Sequence, residues 1–195
     1  MLSFDDIEFY LRVFKELSYS DILELSQLSE SRLLKAGEVY IAEGSSTHKL
    51  AYIKKGVIRS YFLKENGDEV TFMIRWENQF IASIDNIIHQ KASRFTYQAL
   101  EDTTLLEVDY KKAQLVVDDN PRLSNLRSTL LLHMLSQAMD RLEAFVILSP
   151  EERYIKLVQE KPDIVNRVAD KYLATLLGIT PVSLSRIRKR IAIAR

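Results

Sequence analysis

The chain of 195 residues contains no cysteine. That excludes disulfides, thiolate metal sites, cysteine-ligated iron–sulfur clusters and cysteine nucleophiles at once. Glycine and proline are sparse, at five and four residues. The glycines are scattered, so there is no nucleotide-binding Gly-rich loop, and neither a nucleophile elbow nor a metal motif is present. The three histidines, His48, His89 and His133, lie far apart, without metal-ligand spacing. The paired acids Asp5-Asp6, Glu101-Asp102 and Asp118-Asp119 fall at turns or helix starts, where carboxylates cap or solvate. The residues therefore suggest no enzyme, no metal and no cofactor. No run of eighteen apolar residues is present, so no membrane span is expected. Met1-Leu2-Ser3-Phe4-Asp5-Asp6 lacks the basic and apolar regions of a secretory leader, and a cytoplasmic protein is expected.

Charge of one sign is missing from the total but not from the parts. The 27 basic and 27 acidic side chains cancel. From position 164 to 195 there are seven basic residues and one acid, net +6, which leaves −6 to positions 1–163. A basic end on an acidic body fits a polyanionic partner or a solvated basic helix face.

The hydrophobic period divides the chain. Ile7, Leu11, Phe14 and Leu17 recur at helical spacing, and Ser20-Asp21 can cap a second short helix through Ile22, Leu25 and Leu28. From Leu33 to Val108 the period is close to two. Short β-branched and aromatic runs alternate with turns at Gly44, Gly56, Asn66-Gly67 and Asn78, and Asn66-Gly67 marks a hairpin. Many short strands at this spacing predict an antiparallel barrel or sandwich. From Arg122 to Leu148 the pattern is helical again, with two apolar stripes. One runs Leu123, Leu126, Leu130, Met134; the other runs Leu131, Leu135, Ala138, Leu142, Phe145. A helix apolar on two sides can pack on its own barrel with one and on a second subunit with the other, or lie as a central core helix in a monomer; its length, over six turns, favours the dimer. Ser149-Pro150-Glu151-Glu152 then opens a new helix with a capping box. The division expected is a barrel with N-terminal helices over 1–120, a long helix open to dimerisation over 121–148 and a separate helical domain over 149–195.

Residues 170–190 fit a helix-turn-helix. Ala174 is small where two helices cross, and Gly178 allows positive φ in the turn. Leu173, Leu177, Ile179, Leu184 and Ile187 fall at inward positions. Thr180 suits the N-cap and Pro181 the first position of the second helix. Val182, Ser183, Ser185, Arg186, Lys189 and Arg190 remain outward, a polar and basic face of the type that enters a major groove. Each part alone also suits an ordinary helical hairpin; their coincidence favours DNA.

The chain here resembles the Crp/Fnr family of bacterial transcription regulators, over about residues 30–190. Gly37, Gly44, Gly56 and Gly67 sit at positions similar to the family's barrel loops. Asp109-Tyr110-Lys111-Lys112 with Asn120-Pro121 looks like the segment before its dimer helix. Leu177-Gly178-Ile179-Thr180 and Leu184-Ser185-Arg186-Ile187-Arg188-Lys189 look like its recognition element. The resemblance implies an α+β fold: a cyclic-nucleotide-binding-like jelly roll, a long dimerisation helix and a C-terminal helix-turn-helix. It implies a homodimer that regulates transcription on double-stranded DNA, with RNA polymerase and an unknown small-molecule effector as further partners. Arg186 matches a base-reading arginine, Lys171, Thr180 and Ser183 match phosphate contacts, and Val182 can touch a thymine methyl.

The sensor positions depart from the family. Its cyclic-nucleotide members hold ribose with a Gly-Glu pair, where this chain has Ala82 and Ser83. They hold the cyclic phosphate with an Arg, where Ser93 stands here and Arg94 follows one place late. Hydroxyl residues of the dimer helix are replaced by Ala138 and Met139. An effector pocket at Ser83, Ser93, Arg94, Ala138 and Met139 would therefore not take cyclic AMP. The alternative is an effector-binding or protein-interaction module whose shortened DNA-binding end no longer functions.

Overall fold

The computed structural model describes residues 17–193. The helix expected ahead of Leu17 lies outside them. The first helix, α1 (Tyr19–Leu28), is capped by Ser18, two residues before the expected Ser20-Asp21. Asp21 instead closes the capping box from the N3 position, and its carboxylate also takes Asn120 and Arg122. The cap thus ties α1 to the start of the long helix.

Eight strands follow: β1 (Glu30–Leu34), β2 (Val39–Ile41), β3 (Lys49–Lys55), β4 (Ile58–Leu63), β5 (Glu69–Arg75), β6 (Phe80–Ala82), β7 (Thr96–Ala99) and β8 (Thr103–Asp109). A short helix, α2 (Ile84–Ile87), separates β6 from β7. The strands form two four-stranded antiparallel sheets, ordered β1-β8-β3-β6 and β2-β7-β4-β5. The sheets do not close into one continuous barrel. Period-two alternation packs Leu34, Ile41, Ile53, Ile58, Ile81 and Leu105 into a core between them. The Asn66-Gly67 hairpin joins β4 to β5 through a loop of five residues rather than two; Gly67 takes φ +83° and the Lys64 amide donates to the Asp68 carbonyl.

The remaining chain is helical: α3 (Tyr110–Asp119), α4 (Pro121–Ile147), α5 (Pro150–Glu160), α6 (Ile164–Arg167), α7 (Asp170–Leu176) and α8 (Pro181–Ile193). Asp109 caps α3, Asn120 caps α4 with Pro121 at its first position, and Ser149 with Glu152 makes the predicted box on α5. The two stripes of α4 separate as the pattern requires. Leu123, Leu126, Leu130 and Met134 are covered or half-covered, while Leu131, Leu135, Ala138, Leu142 and Phe145 stay exposed.

A second core gathers Tyr154, Ile164, Val168, Leu173, Ala174, Leu177, Leu184 and Ile187 from the last four helices. Val57, just before β4, and Ile74 of β5 belong to the same core. The small helical end therefore leans on the sheet as well as on α5.

Candidate nucleic-acid interface and sensor loop

Helices α7 and α8 are joined by Leu177–Thr180, with Gly178 at φ +72°. A Cβ at position 178 would stand 3.2 Å from Cε1 of Phe145, so the turn is both left-handed and close to α4. Ala174 is fully buried where the helices meet, as are Leu173 and Leu184. The Ser183 amide donates to Thr180 Oγ1 at 3.2 Å, which makes Thr180 the N-cap of α8. Leu184 and Ile187 pin one side of α8 to the core. That leaves Val182, Ser185, Arg186, Lys189 and Arg190 exposed on the other side, with Ser183 half-exposed.

The cations on this helix divide by partner. Arg188 turns sideways to Asp170 at 2.7 Å and to the Tyr154 hydroxyl at 3.2 Å. Arg190 reaches Glu151 at 2.9 Å on the exposed surface. Arg186 and Lys189 make no ion pair among the described residues. Lys171, at the start of α7, is also exposed, its ammonium 4.8 Å from the Tyr172 ring. The structure thus brings Lys171, Thr180, Val182, Ser183, Ser185, Arg186, Lys189 and Arg190 onto one two-helix unit. A mostly polar, basic face on a helix fixed from behind can meet phosphates and base edges in a groove.

The sensor positions are closed. Ser83 caps α2 and its hydroxyl donates to Ser93 Oγ at 3.1 Å, both side chains buried. Ser93 donates in turn to the Phe95 carbonyl at 2.8 Å. Arg94 does turn away from the buried face; its side chain is 73% exposed. Its Nε lies 2.9 Å from Asp85, a buried carboxylate that also accepts the Arg94 amide at 3.0 Å. Burial works against the charge on Asp85, but the Arg94 amide and guanidinium hold its pKa below the ordinary carboxylate value. Asn86 completes the loop by donating to the Ser45 and Lys91 carbonyls. Beside it Phe95 stacks on Phe72 at 4.7 Å and meets Phe62 edge-on at 6.1 Å. Ala138 and Met139 lie exposed on α4, within one turn of Arg141, whose guanidinium carbon stands 5.7 Å from the Phe72 ring. Of the five expected pocket residues, the structure brings Ser83 and Ser93 into contact and pairs Arg94 with Asp85. Where an anion would be held, an internal carboxylate already holds Arg94. A small recess lined by Arg75, Gln79, His133 and Gln137 lies between β5–β6 and α4, with room for about one water.

Sequence reasoning missed Arg59. It is almost fully buried, on the face of β4 opposite Ile58. Its guanidinium carbon lies 3.7 Å from the Tyr172 ring centroid and 3.9 Å from that of Tyr61. Nε and Nη2 donate to Gln98 Oε1 at 3.0 and 2.7 Å, and Nη2 also meets Glu69. Nη1 is buried and has no hydrogen-bond partner among the described residues. Alternation along β4 turns Arg59 away from Ile58 and the core between the sheets, and Tyr172 of α7 covers it there.

Residues 31–120 match the model of the cyclic nucleotide-binding domain family. No curated protein matches the sequence. Among solved structures, FixK2 from Bradyrhizobium japonicum superposes with a TM-score of 0.73 at 14% identity, over 85% of each chain. The c-di-GMP responsive global regulator CLP of Xanthomonas campestris gives 0.71 at 15%, over 91% of this chain and 93% of that one. A regulator assigned to the Crp/Fnr family from Eubacterium rectale gives 0.70 at 17%, over 93% and 87%. At such identities the likeness is one of fold, and it spans both the sheets and the helical end.

Proposed function

We propose, from the match of residues 31–120 to the cyclic nucleotide-binding domain model and from a fold like that of the Crp/Fnr transcriptional regulators, that this protein is a homodimeric, DNA-binding transcription regulator that does not answer to cyclic AMP. The observation that carries the proposal is the division of α8. Leu184 and Ile187 are buried, while Val182, Ser185, Arg186 and Lys189 face solvent, with Arg186 and Lys189 in no ion pair among the described residues. A free basic face on a capped second helix is built for a polyanion, and Arg186 has the reach to donate two hydrogen bonds to guanine. The exposed stripe of α4 supports the dimer: Leu131, Leu135, Ala138 and Leu142 follow one another along one side of a helix over seven turns long. Two copies paired through it would present two α8 helices to successive major grooves of a pseudo-palindromic site. We take residues 1–120 as the sensor region, 121–148 as the dimer helix and 149–195 as the DNA-binding region.

Independence from cyclic AMP rests on the closed sensor loop. Ser83 and Ser93 satisfy each other, Arg94 is held by Asp85, and Phe95 stacks within the sheet region where the loop returns. A cyclic phosphate would have to displace the Asp85 carboxylate, leaving a buried charge without its partner, which is costly.

The test is selection of duplexes from a random library, followed by titration of the selected site against Arg186→Ala. The variant is expected to lose about 1–3 kcal/mol on that site and to relax preference at one base position. Unchanged binding would remove α8 from the role of reading helix. Isothermal titration with cyclic AMP is expected to give no heat of binding.

A further inference from the structure

The helix that docks on the sheet is α7, and the helix left free is α8. Tyr172 of α7 covers the guanidinium of Arg59 at 3.7 Å. The Thr71 amide, on the open edge of β5, donates to Thr175 Oγ1 at 3.1 Å. Just before α7, Arg167 reaches back to Glu77 and Glu101 beyond the strand ends, and Lys161 lies 3.6 Å from Glu77. Three separate elements of the helical end thus grip one sheet through polar groups, beside the apolar contact of Val57 and Ile74 with the helical core.

We infer that Arg59 and Tyr172 form a clamp that sets the angle of the helix-turn-helix on the sheet, and so act as positioning residues for DNA binding. This rests on the DNA-binding reading above. The docked state leaves Val182, Ser185, Arg186 and Lys189 exposed, so the clamp does not hide the reading face. What it determines is where that face stands relative to α4, and hence the distance between two such faces in a dimer. Half-sites recur at one helical turn, about 34–36 Å, and a rigid pair reads one spacing. Units swinging on the Leu148–Ser149 joint would accept several spacings and lose freedom on binding.

Two measurements on the full-length protein test this. The first is residue-resolved hydrogen exchange at the Thr71 amide, which is covered only while α7 is docked. The second is selection from a duplex library that varies the spacer between fixed half-sites. Tyr172→Phe keeps the ring and should match the wild type in both. Tyr172→Ala should speed Thr71 exchange, broaden the accepted spacers and weaken the best site roughly tenfold. Thr175→Val, which removes only the acceptor, should speed Thr71 exchange without disturbing the Arg59 stack. A folded Tyr172→Ala protein that keeps slow Thr71 exchange, or one that keeps the single wild-type spacing, would overturn the inference. A wild-type protein that retains no duplex would overturn the DNA-binding reading and the positioning role with it, while Thr71 exchange would still report whether the clamp exists.

Discussion

Gly56 stands between β3 and β4 at φ +105°, and a Cβ there would sit 2.7 Å from the Thr103 Cα. Neither the backbone angle nor the neighbouring strand admits a side chain. Gly56→Ala should cost about 1–3 kcal/mol from strain alone, with the backbone collision added, and thermal denaturation should show a large fall in Tm. Glu77 makes a pH prediction at the same scale. Burial penalises its charge, but Arg167 and the Gly56 amide outweigh that and hold its pKa at about 2, against an ordinary value of 4.5. A folded-state pKa below the unfolded one stabilises the protein above pH 4.5. That stability is lost as pH falls from 4.5 towards 2. Glu77→Gln should therefore flatten the acid limb of a Tm-against-pH curve in this window, and an unchanged limb would assign the acid response to other carboxylates.

At the level of elements, α8 depends on its start. Thr180 accepts the Ser183 amide and Pro181 needs no donor at the first helical position. Thr180→Ala should cost about 1 kcal/mol through the lost cap, and it should weaken duplex binding by fraying the turn that carries Val182 and Ser183. Circular dichroism melting and anisotropy titration read the two effects separately. Helix α4 carries a contrary demand: Leu131, Leu132, Leu135 and Leu142 stay exposed among the described residues. Most elements were legible because local signals agree with the fold. Period two marked the strands, Ser149 with Glu152 and Asn120 with Pro121 marked helix starts, and two apolar stripes marked α4. The start of α1 was misplaced because Ser18 and Ser20 are equally good caps locally. The choice falls to Asp21, whose carboxylate is wanted by Asn120 and Arg122 a hundred residues away.

For the whole molecule, dimerisation and DNA binding should stand or fall together. In the proposed dimer, Leu135→Glu would put a charge against its own copy near the two-fold seam, a repulsion uncompensated in a dry interface. Sedimentation should show a monomer, and affinity for a palindromic duplex should drop towards that of a single half-site. Binding by the wild type should weaken steeply with salt, by a slope of about −0.9 per phosphate neutralised. A dimeric Leu135→Glu protein would move the seam off this stripe.

The basic, outward residues of the helix-turn-helix were readable from sequence because helix periodicity, caps and a glycine turn are local properties, carried by a few neighbouring side chains. The burial of Arg59 and the closure of Arg94 onto Asp85 were not readable. A buried arginine and an exposed one look alike in a strand pattern, and pairing between residues nine or more apart across a loop follows from how the backbone returns. Only the packing of α7 over the sheet determines which polar groups lose water, and with that loss a surface cation becomes a joint between two parts of the chain.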